Sequence, residues 1–450
     1  MTRRVLALAA LAASSMLAGC QAYHTDPLNS GPAALVAPDM AILSADAEKI
    51  NRPYLTPQPI DLNQPLTPNA LAIITVLENP DLKALRAKNG VTDAQAFAAM
   101  LLPDPQASLS FDKVLSGPDE FNAYGGSLGI DINSLITAKV TRHSASALKR
   151  QVRLDLAWAE WQSAGQARLQ AVRISALEEQ LGLAQTSATL AEQQFAAVAK
   201  AAGRGDVAGG EVDARRQAML DAGDKLRLAQ NDLVTARGEL NRQLGLAPDA
   251  KIAIAPTLDP EPVPDAATLV ALALDRRLDL AALRAGYESA EADVHKSILD
   301  QFPALSLSFN YASDTAQNKT FGPAVGFNLP LFNRNRGAIR TATATRTQLK
   351  AEYEARLFQT RADIQAAVDG LATVRRQSAA LRAQLPALER YAAATAKAAR
   401  NGDLAPITAS AAEQALRDRQ LTLLQLRQQA AEQTIALELL TGSLSEGWTK

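Results

Sequence analysis

The sequence predicts a mainly helical protein with a small β component of the kind that enters a membrane as part of a barrel. Three observations predict it. The chain is internally duplicated. Each half carries a helical stretch far longer than the three to four turns usual in globular proteins. Each half also carries two short segments of strict apolar and polar alternation.

Taken in chain order, residues 1–19 read as a signal peptide. Arg3 and Arg4 form a basic start, and apolar and small residues run from Val5 to Met16. Leu17-Ala18-Gly19-Cys20 resembles the lipobox of bacterial lipoproteins. That resemblance implies cleavage before Cys20, diacylglycerol on its sulfur and an acyl chain such as palmitate on the new N-terminus. The alternative is a plain secretory signal cut nearby. Residue 21 is Gln rather than the Asp associated with inner-membrane retention, which implies outer-membrane sorting. Cys20 is the only cysteine in the 450 residues, so no disulfide can form within the chain. Residues 20–68 are rich in proline and lack periodicity, and they read as a lipidated, extended N-terminal segment.

Two halves then match in order. Asn79-Pro80-Asp81-Leu82 to Ala87 corresponds to Arg277-Leu278-Asp279-Leu280 to Ala285. Ser108-Leu109-Ser110-Phe111 recurs as Ser306-Leu307-Ser308-Phe309. Lys200 to Asp206 recurs as Lys397 to Asp403. The expected division is repeat 1 at 69–248, a Pro- and Asp-rich linker at 249–263, repeat 2 at 264–442 and a tail at 443–450. Each repeat reads as a helix, two strands and a long helical hairpin.

Composition narrows the function. Formal net charge is -1, so no basic field points to nucleic acid. Aromatic content is 4 %, and the many alanines suit helices packed closely along their length. No run of about eighteen apolar residues follows the signal. A membrane span must therefore be a β-barrel, or the lipid is the anchor.

The strands carry that possibility. Ala107, Leu109 and Phe111 oppose Ser108, Ser110 and Asp112. Leu128, Ile130 and Ile132 oppose Gly129, Asp131 and Asn133. Leu305, Leu307, Phe309 and Tyr311 oppose Ser306, Ser308 and Asn310. Val325, Phe327 and Leu329 oppose Gly326 and Asn328. An apolar face against a small, polar face is the pattern of a strand between lipid and a watery lumen. Leu109, Phe111, Ile130, Leu307, Phe309 and Phe327 are the expected lipid-facing residues. A half-buried hairpin of a soluble domain shows the same alternation; the lipobox and the lack of another core favour the membrane. Ser116-Gly117-Pro118-Asp119 and Ser313 to Lys319 supply the turns. Four strands cannot close a barrel, and lipid forbids an open edge, so several copies must combine.

The helices complete the plan. From about Ile136 to Ala202 the residues Leu177, Leu181, Ala184, Ala188, Ala191, Phe195, Val198 and Ala202 alternate steps of four and three. That is a coiled-coil seam. Leu371, Val374, Leu381, Leu385, Leu388, Ala392, Thr395 and Ala399 repeat it more loosely. The first long helix spans about 100 Å. Shorter helices at about 81–101 and 207–244 together nearly match it, which suggests one long helix beside two short ones stacked end to end. Pro386 bends or breaks the second long helix.

This plan resembles the TolC family of outer-membrane efflux proteins over nearly the whole mature chain. The pieces that carry the resemblance are Asn79-Pro80-Asp81-Leu82, Gly326 to Asn333, Leu385-Pro386-Ala387-Leu388-Glu389 and the two Gly-Asp turns. It implies a homotrimer with a twelve-stranded barrel in the outer membrane, continued by a helical tube in the periplasm. It implies a periplasmic adaptor and an inner-membrane transporter as partners, and no cofactor. The turns Gly203-Arg204-Gly205-Asp206 and Asn401-Gly402-Asp403 become the candidate docking tips. Leu329 to Gly337 looks like the heavy-metal-efflux branch. His24, His143 and His295 are scattered, which argues against a dedicated metal site. Two departures stand out. Asn133 occupies the place of Pro330, and Thr408 and Ala411 stand where relatives can carry a ring of aspartates. Glu211 and Asp213 are the remaining candidate gate carboxylates, with Asp206 and Asp403 nearby. Helix capping or dipole stabilisation explains all four equally well.

The leading expectation is thus a passive trimeric exit duct of a tripartite efflux or type I secretion system. The alternative is a non-channel coiled-coil lipoprotein, an adaptor or spacer. No P-loop, Gly-x-Ser-x-Gly, His-Glu-x-x-His or Cys/His spacing points to an enzyme.

Overall fold

The computed structural model describes residues 23–28, 38–118, 120–255, 258 and 262–448. The chain divides at residue 37 into two units. The first is described only at 23–28, which have no regular structure; Cys20 and Gln21 lie outside the described residues. The second unit, from Pro38 on, holds everything that follows.

Its elements are α1 (Met40–Glu48), α2 (Pro68–Glu78), α3 (Pro80–Met100), β1 (Gln106–Asp112), β2 (Ala123–Asp131), α4 (Ile132–Ala202) and α5 (Gly209–Gln243). The second half follows with α6 (Ala266–Arg276), α7 (Leu278–Leu299), β3 (Leu305–Ser313), β4 (Lys319–Phe327), α8 (Arg336–Asn401) and α9 (Pro406–Thr441). A 3-10 turn at Ser445–Gly447 closes the described chain.

The seam residues behave as their spacing requires. Leu371, Val374, Leu381, Ala392 and Thr395 are buried along α8. α8 runs unbroken through Pro386. α4 and α8 span about 107 and 99 Å at 1.5 Å per residue. α4 lies between two columns: α3 and α5 on one side, α7 and α9 on the other, with α8 beyond them.

Each column is jointed in the same way. Asn79 at the start of α3 donates from Nδ2 to the carbonyl of Gln243 at the end of α5, 2.8 Å away. In the second repeat, Arg277 at the start of α7 donates to the carbonyl of Leu440 at the end of α9, at 3.0 Å. Beside each joint sits a left-handed glycine, Gly245 (φ 65°) and Gly442 (φ 70°). A Cβ on Gly245 would lie 2.5 Å from the Glu78 carbonyl oxygen, and on Gly442 3.1 Å from that of Arg276. Glycine is required there for both conformation and space.

The strands form one antiparallel sheet in the order β1-β2-β3-β4, so β1 and β4 are its edges. Asp314 organises the β3–β4 turn, accepting from the backbone N–H groups of Ala316 and Asn318 at 3.0 and 2.7 Å.

Two expectations are corrected. β2 ends at Asp131, and Ile132 and Asn133 are helical. Asp131 caps α4, accepting from the Asn133 N–H at 2.9 Å, so the alternation stops two residues early. Residues 38–68 are not simply extended. Asp39 caps α1, and Leu43, Ala47, Ile50, Leu55, Ile60 and Leu66 join a core with α2, α4 and α5. Beyond α9, Trp448 is buried beside α6 and α8, its indole N–H donating to Thr441 Oγ1 at 3.3 Å.

Candidate functional site

Two regions carry functional chemistry, the sheet and the hairpin tips. In the sheet, register sorts every residue. The rows Leu109–Gly126–Tyr311–Phe321, Ala107–Leu128–Phe309–Pro323 and Ile130–Leu307–Val325 fall on one face, with Leu305–Phe327 and the turn-proximal row Phe111–Tyr124–Ser313–Lys319. The opposite face reads Ser108–Ser127–Asn310–Gly322, Ser110–Gly125–Ala312–Thr320 and Gln106–Gly129–Ser308–Ala324. One face is thus apolar and aromatic, and the other small and polar. The Ser108 and Ser127 hydroxyls hydrogen-bond across the small face at 2.7 Å. On the apolar face Phe309 and Phe321 stack at 6.3 Å. Leu109 is 92 % exposed in the single chain. With Phe111, Tyr124, Leu128, Phe321, Val325 and Phe327, each more than half exposed, it forms a contiguous apolar patch of the kind that marks a membrane or partner surface. Strands of seven to nine residues approach the nine to eleven that a tilted strand needs to cross a bilayer. Among the described residues no helix is long and apolar enough to cross one.

At the tips the two repeats use one device. α4 ends with Gly205 at φ 83°, and the Asp206 N–H returns to the Ala201 carbonyl at 3.1 Å. α8 ends with Gly402 at φ 87°, and the Asp403 N–H returns to the Ala398 carbonyl at 2.9 Å. This six-to-one closure around a left-handed glycine is the Schellman motif. It corrects the expected role of the aspartates as side-chain caps. The N-cap residues of α5 and α9 are Ala208 and Ala405, and neither helix has a side-chain cap. Each aspartate serves through its backbone, and both carboxylates face solvent. Asp206 pairs with Arg204 at 3.0 Å. Gly203 is helical in φ and ψ, and Asn401 is the last residue of α8.

Glu211 lies in the first turn of α5, where a negative charge favours the helix dipole. Asp213 is exposed and 3.6 Å from Arg216, three residues along the same helix. The two carboxylates therefore have local roles in a single chain. Among the described residues no group of three or more His, Cys, Asp or Glu is arranged to hold a metal ion.

The sequence reading missed the buried ionic joints. Glu160 on α4, 1 % exposed, receives Arg52 at 2.6 Å and Arg86 at 2.7 Å. Burial alone raises this carboxyl, but the hydrogen bonds from the two arginines outweigh it and hold it below the usual range. Tyr54 packs edge-on against Trp161 at 4.9 Å beside them. In the second repeat Asp279 receives Arg277 at 2.6 Å and Arg356 at 3.2 Å, and the Arg277 guanidinium lies 4.8 Å from the Trp158 ring. Arg52, Arg86 and Arg356 lie 74 to 108 positions from the carboxylates they meet, beyond any spacing rule, and Arg277 and Asp279 stood out in the sequence only as part of the repeat match.

Known proteins share this fold. The family model for outer membrane efflux proteins matches residues 269–443. The cobalt-zinc-cadmium resistance protein CzcC of Cupriavidus metallidurans is 24 % identical over 334 residues, covering 71 % of this chain and 75 % of its own. The solved structure of CusC, described by its transmembrane channel formation, superposes with a TM-score of 0.70 at 17 % identity, covering 91 % of this chain and 99 % of that one. The open state of the Neisseria gonorrhoeae MtrE outer membrane channel gives 0.68 at 17 %, covering 83 % and 88 %.

Proposed function

We infer that this chain, a member of the outer membrane efflux protein family, is the outer-membrane exit duct of a tripartite efflux system. One observation carries the reading beyond the family. The sheet and the helical wall are both open at their ends, and the same two repeats supply the ends. Repeat 1 leaves β1 and the α3/α5 column unpaired; repeat 2 leaves β4 and α8 unpaired. Head-to-tail association satisfies both layers with one rotation. Three copies give twelve strands, enough for a barrel with a lumen. Exposed apolar residues stand on the helices that would meet: Leu220 and Val234 on α5, and Phe358 and Tyr391 on α8.

In this reading the apolar sheet face meets lipid and the serine- and glycine-rich face lines the lumen. Lipid on Cys20 adds a second anchor. The hairpin tips at Arg204 and Asn401 reach farthest into the periplasm and receive the adaptor, to which an inner-membrane transporter supplies energy. The similarity to CzcC and the run Leu329 to Gly337 support a divalent metal cation as cargo.

Two experiments test the parts. Crosslinkers at Arg204 and Asn401 are expected to capture the adaptor, and bulky residues at Gly205 and Gly402 to abolish export while trimers remain. Adaptor capture only at Lys139 or Arg336, beside the sheet, would show the molecule inverted. For the anchor, fatty-acid labelling is expected to mark the wild type and miss Cys20→Ala. Equal labelling of both would remove the lipid from the account.

A further inference from the structure

Directly beyond the sheet the charge becomes one-sided. α4 leaves β2 with no acid between Asp131 and Asp155, yet it carries Lys139, Arg142, Lys149, Arg150 and Arg153. α8 leaves β4 in the same way. No acid stands between Asp314 and Glu352, while Arg334, Arg336, Arg340, Arg346 and Lys350 do. The short helices neutralise the part of this set farther from the sheet. Asp93 on α3 takes Lys149 and Arg153, Glu288 on α7 takes Arg150, and Glu291 takes Arg346. Asp300 is engaged by Lys296 at 2.6 Å. Lys139, Arg142, Arg334, Arg336 and Arg340 are exposed and have no ion pair among the described residues. The acid of α7 left at this level is Asp293, which accepts from the Ser144 hydroxyl at 2.7 Å. A cationic collar thus lies within about 15 Å of the sheet.

Repeat 2 elaborates the collar. β2 passes into α4 without a linker, whereas residues 328–335 separate β4 from α8. Phe332 in that linker is 96 % exposed, and Leu329 and Leu331 are exposed beside it. Arg334 (φ 46°) and Asn335 (φ 53°) are consecutive left-handed residues, a conformation that arginine disfavours. The Asn335 side chain holds it, with Nδ2 donating to the Ser297 carbonyl near the end of α7 at 2.8 Å. Arg334 is thereby set at a notch of about 370 Å³, lined also by Gln301, Phe302, Pro303, Pro330 and Leu331. Arg336 and Arg340 follow in the first turns of α8, where no acid accompanies them. The helix dipole opposes a cation there, so these side chains stand at a cost that an anion would relieve.

The position says what brings the anion. The apolar face of the sheet ends at the Leu305–Phe327 row. If that face meets lipid, the residues just beyond it lie at the depth of the headgroups. Aromatic rings and arginines share that depth, the ring at the acyl boundary and the guanidinium toward the phosphates. A basic collar at a membrane surface draws anionic lipid. We propose that the junction of β4 with α8 binds an anionic phospholipid of the inner leaflet, its phosphate on Arg334 and Arg336 and its acyl chains against Phe332 and the notch. The proposal rests on the duct reading and adds a lipid of defined charge to the apolar contact of the sheet.

The test uses trimers of the full-length protein, extracted from outer membranes and delipidated in mild detergent. They are mixed with phosphatidylglycerol or with phosphatidylcholine of the same acyl chains, and bound lipid is counted by native mass spectrometry. Phosphatidylglycerol is expected to be retained in preference to phosphatidylcholine. Arg334→Gln combined with Arg336→Gln is expected to lower its retention about tenfold, with heat-dissociable trimers kept. Arg334→Lys combined with Arg336→Lys keeps the preference, and Phe332→Ser lowers retention of both lipids. Equal retention of the two lipids, or a preference that survives the glutamine pair, overturns the proposal and spares the duct. A second copy of this chain is the competing occupant, because Asp104 before β1 is exposed and has no partner among the described residues. Trimers that loosen alike with the glutamine pair and with Asp104→Asn assign the arginines to the next copy and overturn the lipid site. Absence of wild-type trimers removes the duct and this proposal together.

Discussion

Glu160 fastens the N-terminal segment to the long helix. Arg52 comes from the segment, Arg86 from α3, and the carboxylate from α4. Removing the carboxylate leaves two guanidinium groups facing a buried site. Fully buried pairs lose about 3–5 kcal/mol in such cases. Here the arginine side chains keep 37 % and 30 % of their surface in water, so about 2 kcal/mol is the expected loss for Glu160→Gln. The pH dependence follows from the lowered carboxyl. Its stabilising contribution is fully present above the unfolded value of about 4.3 and is lost as pH falls through the lower folded value. Thermal unfolding followed from pH 7 to pH 3 is expected to show a gap between wild type and Glu160→Gln that closes only at the acid end. A gap unchanged at pH 3 would place the role of Glu160 in packing rather than charge.

At the scale of elements, the sheet makes the sharpest claim. Arg at Leu109 or Phe309 is expected to cost about 2–4 kcal/mol near the bilayer midplane, read as loss of folded protein from the outer membrane. Arg at Ser108 or Ser306, on the small face, is expected to be tolerated. Equal behaviour of the two pairs would take the strands out of lipid. Strands and long helices were legible because their periods persist for many residues. The β2–α4 boundary was not, because Ile132 and Asn133 continue an alternation that only the Asp131 cap interrupts. α1 was hidden for a related reason. Nine residues show too little period, and Leu43 and Ala47 are buried by partners distant in sequence. At the tips, Gly-Asp was readable as a turn. Whether Asp206 and Asp403 act through side chain or backbone N–H depends on geometry that residue type does not encode.

The whole molecule is a duplicated unit that remains incomplete alone. The Asn79–Gly245 joint of one repeat recurs as Arg277–Gly442 in the other, so each column is built alike. Duplication supplies two hairpins and two strand pairs, yet leaves β1 and β4 as bare edges. Lipid does not tolerate such edges, and soluble proteins cover them. The central claim is that β1 of one copy pairs with β4 of the next and that the ring closes at three. Cysteines introduced together at Ser108 or Ser110 on β1 and at Ala324 or Gly326 on β4 all lie on the small face. After oxidation in intact outer membranes, non-reducing gels are expected to show species of one, two and three copies and none larger. A ladder extending beyond three, or a chain that stays single at every pair of positions, would contradict the closed duct.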